Sequence, residues 1–419
     1  VVQPALFNGS LMQETLSARN QELNATTQKQ RAIYLARQGH NTSRLAPQQV
    51  DFDFSTDSWG LLNLPYMIAR MDALRLRAQG HALDRQEVMA QRFPFRHFIA
   101  TPRGRDAEEL LFSVLAEPQE KVVQNILFHT ARGHQLKSGL VPVEIPHAEA
   151  LTNNTFPFKG NLDLDKLRQI LNTETVGLIF IEALSNGVGG HPVSVENVRA
   201  VYALAQEHQV PVYIDATRAV ENCALVREYE PEFAGWELAD ILREFLSYCD
   251  GITASLVKDY GLTYGGLLAT NSDEVYARAQ ARALKSEFLL TEDQQAPLAQ
   301  ALADWDYVET QVQARIRQTR RLHAVLHASG LLVRHPPGGH AVILDVSLLN
   351  DAALDAAGML AALYLHTGMR GTQHWGGLAL EYQRPLWIRL AVPLGCSTPD
   401  KLVSVLKFAD LNSLSLRQV

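Results

Sequence analysis

Apolar runs at residues 122–128, 176–180, 210–214 and 265–270 are short and β-rich, and amphipathic stretches such as 195–208 and 236–248 fall between them. A run that is apolar along its whole length has to be covered on both faces, and the intervening helices supply the cover, so the chain must build a layered α/β domain. A helical region at 294–329 is followed by new strands at 341–346 and 387–392, with helices between and after them. A chain of 419 residues exceeds what one core usually accommodates. The expectation is therefore a polar arm or linker over 1–48, a large domain over 49–305 and a smaller α/β domain over 306–419, with no internal repeat. The arm is expected to pack on a partner subunit. The first residue is Val1, which suits either a chain excised from a longer polypeptide or one that has lost its initiator methionine and any tag.

Composition narrows the partners. Lys and Arg number 38 against 45 Asp and Glu, a net charge of -7 with no basic block, which argues against nucleic acid or an anionic membrane; a small anionic ligand needs only a local positive pocket. No uninterrupted apolar stretch is long enough to span a bilayer, and the first residues lack the build of a signal peptide, so a cytoplasmic location is expected. Cys223, Cys249 and Cys396 are odd in number and lack CxxC spacing. They read as reduced core residues, with neither a disulfide framework nor a metal centre.

The chemistry is concentrated in two segments. Residues 212–218 (Val-Tyr-Ile-Asp-Ala-Thr-Arg) form an apolar strand that ends in Asp215 with Arg218 three residues on. A carboxylate at that end of a buried strand can hold a protonated pyridine nitrogen or simply cap the next turn of chain, and Arg218 can donate to a phenolic oxygen or form a surface ion pair. Residues 255–258 (Ser-Leu-Val-Lys) place Lys258 among apolar neighbours that would lower its pKa and make it a nucleophile toward an aldehyde. The two together are the chemistry of pyridoxal 5'-phosphate. The loop at 101–109 enters a helix whose free N–H groups, with Arg103 or Arg105, would bind the phosphate, and Ser255 is placed to hydrogen-bond it.

Six motifs at 158–163, 185–194, 215–222, 255–259, 338–341 and 387–393 stand in the same order as in the tryptophanase and tyrosine phenol-lyase family, which the chain resembles over roughly residues 50 to 410. The resemblance implies a fold-type-I pyridoxal-phosphate enzyme with a large mixed-sheet domain and a smaller α/β C-terminal domain. It implies that Lys258 bonds the cofactor and removes the substrate α-proton while Asp215 pairs with the ring nitrogen. Gly104, Arg105 and Ser255 would hold phosphate, with Arg103 standing where the family usually has Gln, and Phe128 would stack on the ring. Asn186 and Arg218 would hold the O3' oxygen and the carboxylate region, and Arg389 would grip the α-carboxylate. Thr56 and Ser58 would line the same end, and sites of this family form in a homodimer.

The departures concern the substrate. The family's proton-donating tyrosine should fall within residues 71–78, which contain none; Tyr66 is the nearest. An aromatic ring leaves only after protonation on carbon, whereas a thiol of pKa about 8.5 departs as the anion. His374 and His129 replace the usual arginine and threonine of the substrate end, or are ordinary surface residues, and Thr263 stands where a monovalent-cation ligand is usual. The expectation is thus a carbon–sulfur β-lyase that converts an S-substituted cysteine, either a free small molecule or a conjugate tethered to a carrier protein as in the cysteine-lyase domains of polyketide synthases, to a thiol or persulfide, pyruvate and ammonia. The alternative is a carbon–carbon lyase on an aromatic amino acid. A desulfurase would require Cys396 as a mobile nucleophile.

Overall fold

The computed structural model describes residues 26–59, 64–115, 117–126, 128–286, 288–348, 355–374 and 387–395. Its centre is a seven-stranded sheet in the order β2-β8-β7-β6-β5-β3-β4. The strands are β2 (His97–Thr101), β3 (Lys121–Gln124), β4 (Val141–Glu144), β5 (Val176–Glu182), β6 (Val212–Asp215), β7 (Gly251–Ser255) and β8 (Gly266–Thr270). β8 runs antiparallel to both of its neighbours, β2 and β7, while β4, β3, β5, β6 and β7 pair in parallel, so the sheet is mixed.

The sequence pattern explains why helices cover it. Leu238, Ile241, Leu242, Phe245 and Leu246 recur at helical spacing and all are buried in the helix Leu238–Leu246. Asp163 and Ser194 cap the helices Leu164–Thr173 and Val195–Glu207 by accepting from backbone N–H groups of the first turn. Two large clusters of buried side chains result, one on each face of the sheet: Val123, Ile181, Ile214 and Leu267 belong to one, Val122, Phe180, Tyr213 and Leu268 to the other. Successive residues of a strand face opposite sides, so the apolar side chains of the inner strands are covered on both faces.

A second sheet, β11 (Thr372–His374), β12 (Trp387–Ala391) and β9 (Ala341–Asp345), is antiparallel. Phe54, Leu322, Leu326, Ile388 and Leu390 share its core. The N-terminal segment joins this body. Leu35, Leu45 and Val50 pack on Ala361 and Tyr364 of the helix Ala356–Thr367, and β1 (Phe52–Asp53) pairs in parallel with β10 (Met369–Arg370). Buried Arg370 fixes this register by gripping Asp53 with two N–H groups at 3.0 and 2.6 Å. Beyond β1 the chain runs alongside the end of β12: Ala391 N–H donates to the Phe54 carbonyl at 2.8 Å, and Leu394 N–H to that of Ser58 at 3.2 Å. Residues 55–58 are thereby laid across the ends of the central strands. Among the described residues, no helix is long and apolar enough to cross a membrane.

Candidate active site

Parallel strands present their C-terminal ends together, and this is where the chain gathers its charges. Glu182 ends β5 opposite Asp215 at the end of β6, and Lys258 follows β7 by three residues. Into this group the 55–58 turn inserts Asp57, 3% exposed. One Asp57 oxygen, Oδ2, accepts from Arg218 Nε at 2.7 Å; the other, Oδ1, accepts from Lys258 Nζ at 3.1 Å and from Arg389 Nη2 at 3.0 Å. Three cations thus hold the Asp57 carboxyl well below the ordinary range, against the effect of its burial. Arg218 also approaches Glu182, at 3.9 Å.

Burial pushes the Lys258 amine down to about 8, opposed by Asp57. A buried lysine in that range has a substantial free-base fraction near neutrality, which an aldehyde-binding nucleophile requires. Asp215 accepts the Thr217 N–H at 3.0 Å, and burial raises its carboxyl pKa. Glu182 and Glu108 lie in the same region, and burial pushes each up to about 8. A protonated ring nitrogen beside Asp215 would add a cation to this group of carboxyls, which Arg218 approaches from one side.

The first turn of the helix Gly104–Phe112 rests directly on Ser255: a Cβ on Gly104 would lie 2.6 Å from the Ser255 Cβ. The helix N-terminus and the Ser255 hydroxyl therefore form one small cradle of the kind that binds phosphate. Arg103 is turned to Asp106, with its N–H groups at 2.7 to 3.1 Å, whereas exposed Arg105 makes no hydrogen bond or ion pair with another described residue. The cradle, the lowered amine and the buried Asp215 fit pyridoxal 5'-phosphate. Two buried polar atoms at the site, Arg389 Nε and Glu182 Oε2, have no hydrogen-bond partner among the described residues.

Half-buried Phe128 lies beyond the end of β3, its ring centroid 4.3 Å from that of exposed His129, the first residue of the helix His129–Lys137. Asn186 is buried, and its Oδ1 lies 3.1 Å from His340 Nε2. Gly190 permits this approach, since a Cβ there would meet the His340 ring at 2.7 Å. His374 on β11 has Nε2 3.3 Å from the Gly187 carbonyl, and burial together with Arg389 pushes it down to about 4, so it is a neutral imidazole. Thr56 and Ser58 hydroxyls lie 3.0 Å apart and flank Asp57. The Tyr66 ring lies at a tilt against Trp59, centroids 5.3 Å apart. Cys396 lies outside the described residues.

The sequence reading gave no role to Asp57, although it lies between Thr56 and Ser58. It also missed Arg315, buried within the helix Trp305–Ala328. Arg315 donates to Asp259 at 2.8 Å, to Glu221, and to the carbonyls of Asp57 and Lys258 at 3.3 Å each. Asp259 in turn accepts the Val220 and Glu221 N–H groups at the start of the helix Ala219–Tyr229. This network pins the carbonyl of Lys258 and the residue that follows it.

Fold and site define a pyridoxal-phosphate enzyme of fold type I. The family model of the β-eliminating lyases matches residues 78–375, and the chain belongs to that family. It is 32% identical to a tyrosine phenol-lyase of Clostridium tetani over 83% of this chain and 78% of that one. It is 33% identical to a tryptophanase of Salinibacter ruber, over 69% and 64%. Among solved structures it resembles a serine palmitoyltransferase of S. paucimobilis with bound pyridoxal phosphate, at a TM-score of 0.58 and 17% identity, covering 85% of each chain.

These relatives correct one expectation. They are named for tyrosine and tryptophan, which overturns the carbon–sulfur lyase, and the cysteine-conjugate substrate falls with it. The missing tyrosine in 71–78 removes one proton donor only, and the site retains another ionisable group near neutrality, the Lys258 amine at about 8.

Proposed function

We propose that the chain is a carbon–carbon β-lyase acting on an aromatic L-amino acid of the tyrosine or tryptophan type, releasing the ring with pyruvate and ammonia at the expense of one water. The observation that carries this reading is the match to a tyrosine phenol-lyase across 83% of the chain. The bound cofactor supplies an electron sink for the charge left at Cα. Around it, Asp215 holds the ring nitrogen, Gly104, Arg105 and Ser255 the phosphate, Phe128 a face of the ring, and Asn186 with Arg218 the O3' side. Arg103 supports the phosphate turn through Asp106. Arg389, with its unpartnered Nε, receives the α-carboxylate. Thr56, Ser58, His129 and His374 line the substrate end, where neutral His374 offers a hydrogen bond to a ring substituent.

Lys258 Nζ takes the Cα proton and returns it to the departing ring carbon, so that the Cβ–ring bond breaks with its electron pair on a neutral arene. One amine thus acts as base and then acid, which a pKa of about 8 permits near neutrality. We also infer a cytoplasmic homodimer, supported by the family resemblance and by the buried, unbridged thiols of Cys223 and Cys249. Sedimentation equilibrium reads the subunit number. The activity test is pyruvate together with phenol or indole from L-tyrosine or L-tryptophan. A preparation that shows the cofactor's visible absorbance yet releases neither ring refutes the reading.

A further inference from the structure

Among the described residues, Asp57 is the group that touches all three cations of the substrate end. Arg218, Lys258 and Arg389 each reach it through a single nitrogen, and they come from three different parts of the chain. Its own position is fixed from both sides: Arg315 Nη1 donates to its carbonyl at 3.3 Å, and Leu394 N–H anchors the neighbouring Ser58 carbonyl at 3.2 Å. Another neighbour that could carry charge, His340, is driven toward its neutral form by burial and the surrounding guanidinium groups. One carboxylate therefore organises three cations, and the surplus positive charge is available to a second anion.

The consequence lies at Arg389. Asp57 takes its Nη2, and its Nε is buried without a partner among the described residues. A guanidinium recognises a carboxylate through a planar fork, so it selects only when its plane is fixed beforehand. We infer that Asp57 is a positioning residue: by clamping Arg389 and separating it from Arg218, it sets the preference of the site for amines that carry an α-carboxylate. Without its charge the two guanidinium groups repel across a gap no anion fills, and Arg389 loses its fixed plane. The inference rests on Arg389 being the carboxylate receptor.

The test uses holoenzyme and two amines that differ only in the carboxylate, L-alanine and ethylamine, each titrated by the change in cofactor absorbance as the amine displaces Lys258. The native protein is expected to respond to alanine at far lower concentration. In Asp57→Asn, similar in shape but uncharged, that preference is expected to fall about 10- to 100-fold, the worth of a charge-assisted hydrogen bond, with ethylamine little changed. A preference that stays or sharpens, or a loss confined to ethylamine, overturns the inference. If Asp57→Asn does not fold, Asp57→Glu decides: the shifted carboxylate should lower the preference too, and an unaltered one overturns it. Arg389→Ala separates the layers. Retained preference in that variant refutes the carboxylate receptor and the inference together, whereas preference lost there but kept in Asp57→Asn refutes the role of Asp57 alone.

Discussion

Lys258 must be unprotonated to attack an aldehyde or take the Cα proton, and its neighbours decide when that is: burial and the cations Arg218 and Arg389 push its pKa down while Asp57 pulls it up, leaving about 8. Hydride reduction of the holoenzyme followed by peptide mapping should therefore place the cofactor label on the peptide containing Lys258, and Lys258→Ala should carry none; a label elsewhere contradicts the assignment. Glu182 makes a separate prediction. Its carboxyl sits near 8 when folded, against about 4.3 unfolded, so between those values the folded state stays protonated while the unfolded state ionises. Its contribution to stability is complete below the lower value and is lost as pH rises through the upper one. In cofactor-free protein the melting temperature should fall from about pH 5 to pH 8, at most ~1.4 kcal/mol per pH unit from this group. Glu182→Gln should flatten that slope, and an unchanged slope would show an ionised Glu182. Asp215 and Lys258 could be singled out in the sequence because their chemistry admits few residue types, and Arg389 only through the family resemblance. Asp57 was not, because an acid between a threonine and a serine reads as a turn until the fold brings cations to it.

Helix starts and strand ends carry the binding geometry, and the contact of Gly104 on Ser255 shows how little room they leave. A Gly104→Ala substitution puts a methyl 2.6 Å from the Ser255 Cβ. Overpacking of this kind costs about 1–3 kcal/mol, and here it lifts the helix N-terminus from the cradle, so cofactor affinity in a fluorescence titration should fall about tenfold or more. Unchanged affinity would mean that the phosphate is held elsewhere. The helix Trp305–Ala328 matters through Arg315. Arg315→Ala strands Glu221 and Asp259 in the interior, which should lower unfolding free energy in urea by roughly 3–5 kcal/mol. A loss below about 1 kcal/mol would mean that water or protonation compensates them. Four of the seven central strands, β3, β5, β6 and β8, could be read as short apolar runs, whereas β2, β4 and β7 were missed. In β7, Gly-Ile-Thr-Ala-Ser is poor in large apolar residues, and it is buried because β6 and β8 enclose it. Arg315 was hidden because an arginine in an amphipathic helix ordinarily lies on the wet face.

At the level of the whole molecule, the site joins residues far apart in the chain: Asp57 is 161 residues from Arg218, 201 from Lys258 and 332 from Arg389. Contacts of such separation form late in folding, because ordering the intervening chain precedes any gain from them. The layered architecture was legible from the alternation of strands and helices, and the family from six short motifs. Substrate chemistry was misjudged, since the absence of one tyrosine says which donor is missing and nothing about which remains. The segment 55–58 depends on β1, β10 and the end of β12, none of which belongs to the seven-stranded sheet. Under rising urea the cofactor's visible absorbance should therefore disappear before the far-ultraviolet helix signal, and coincident transitions would disprove the separation. A reaction centre tied together from segments as far apart as Asp57 and Arg389 stays chemically silent until synthesis has passed its last contributor, so a chain made only as far as Lys258 holds its reactive amine without the partner that would aim the substrate.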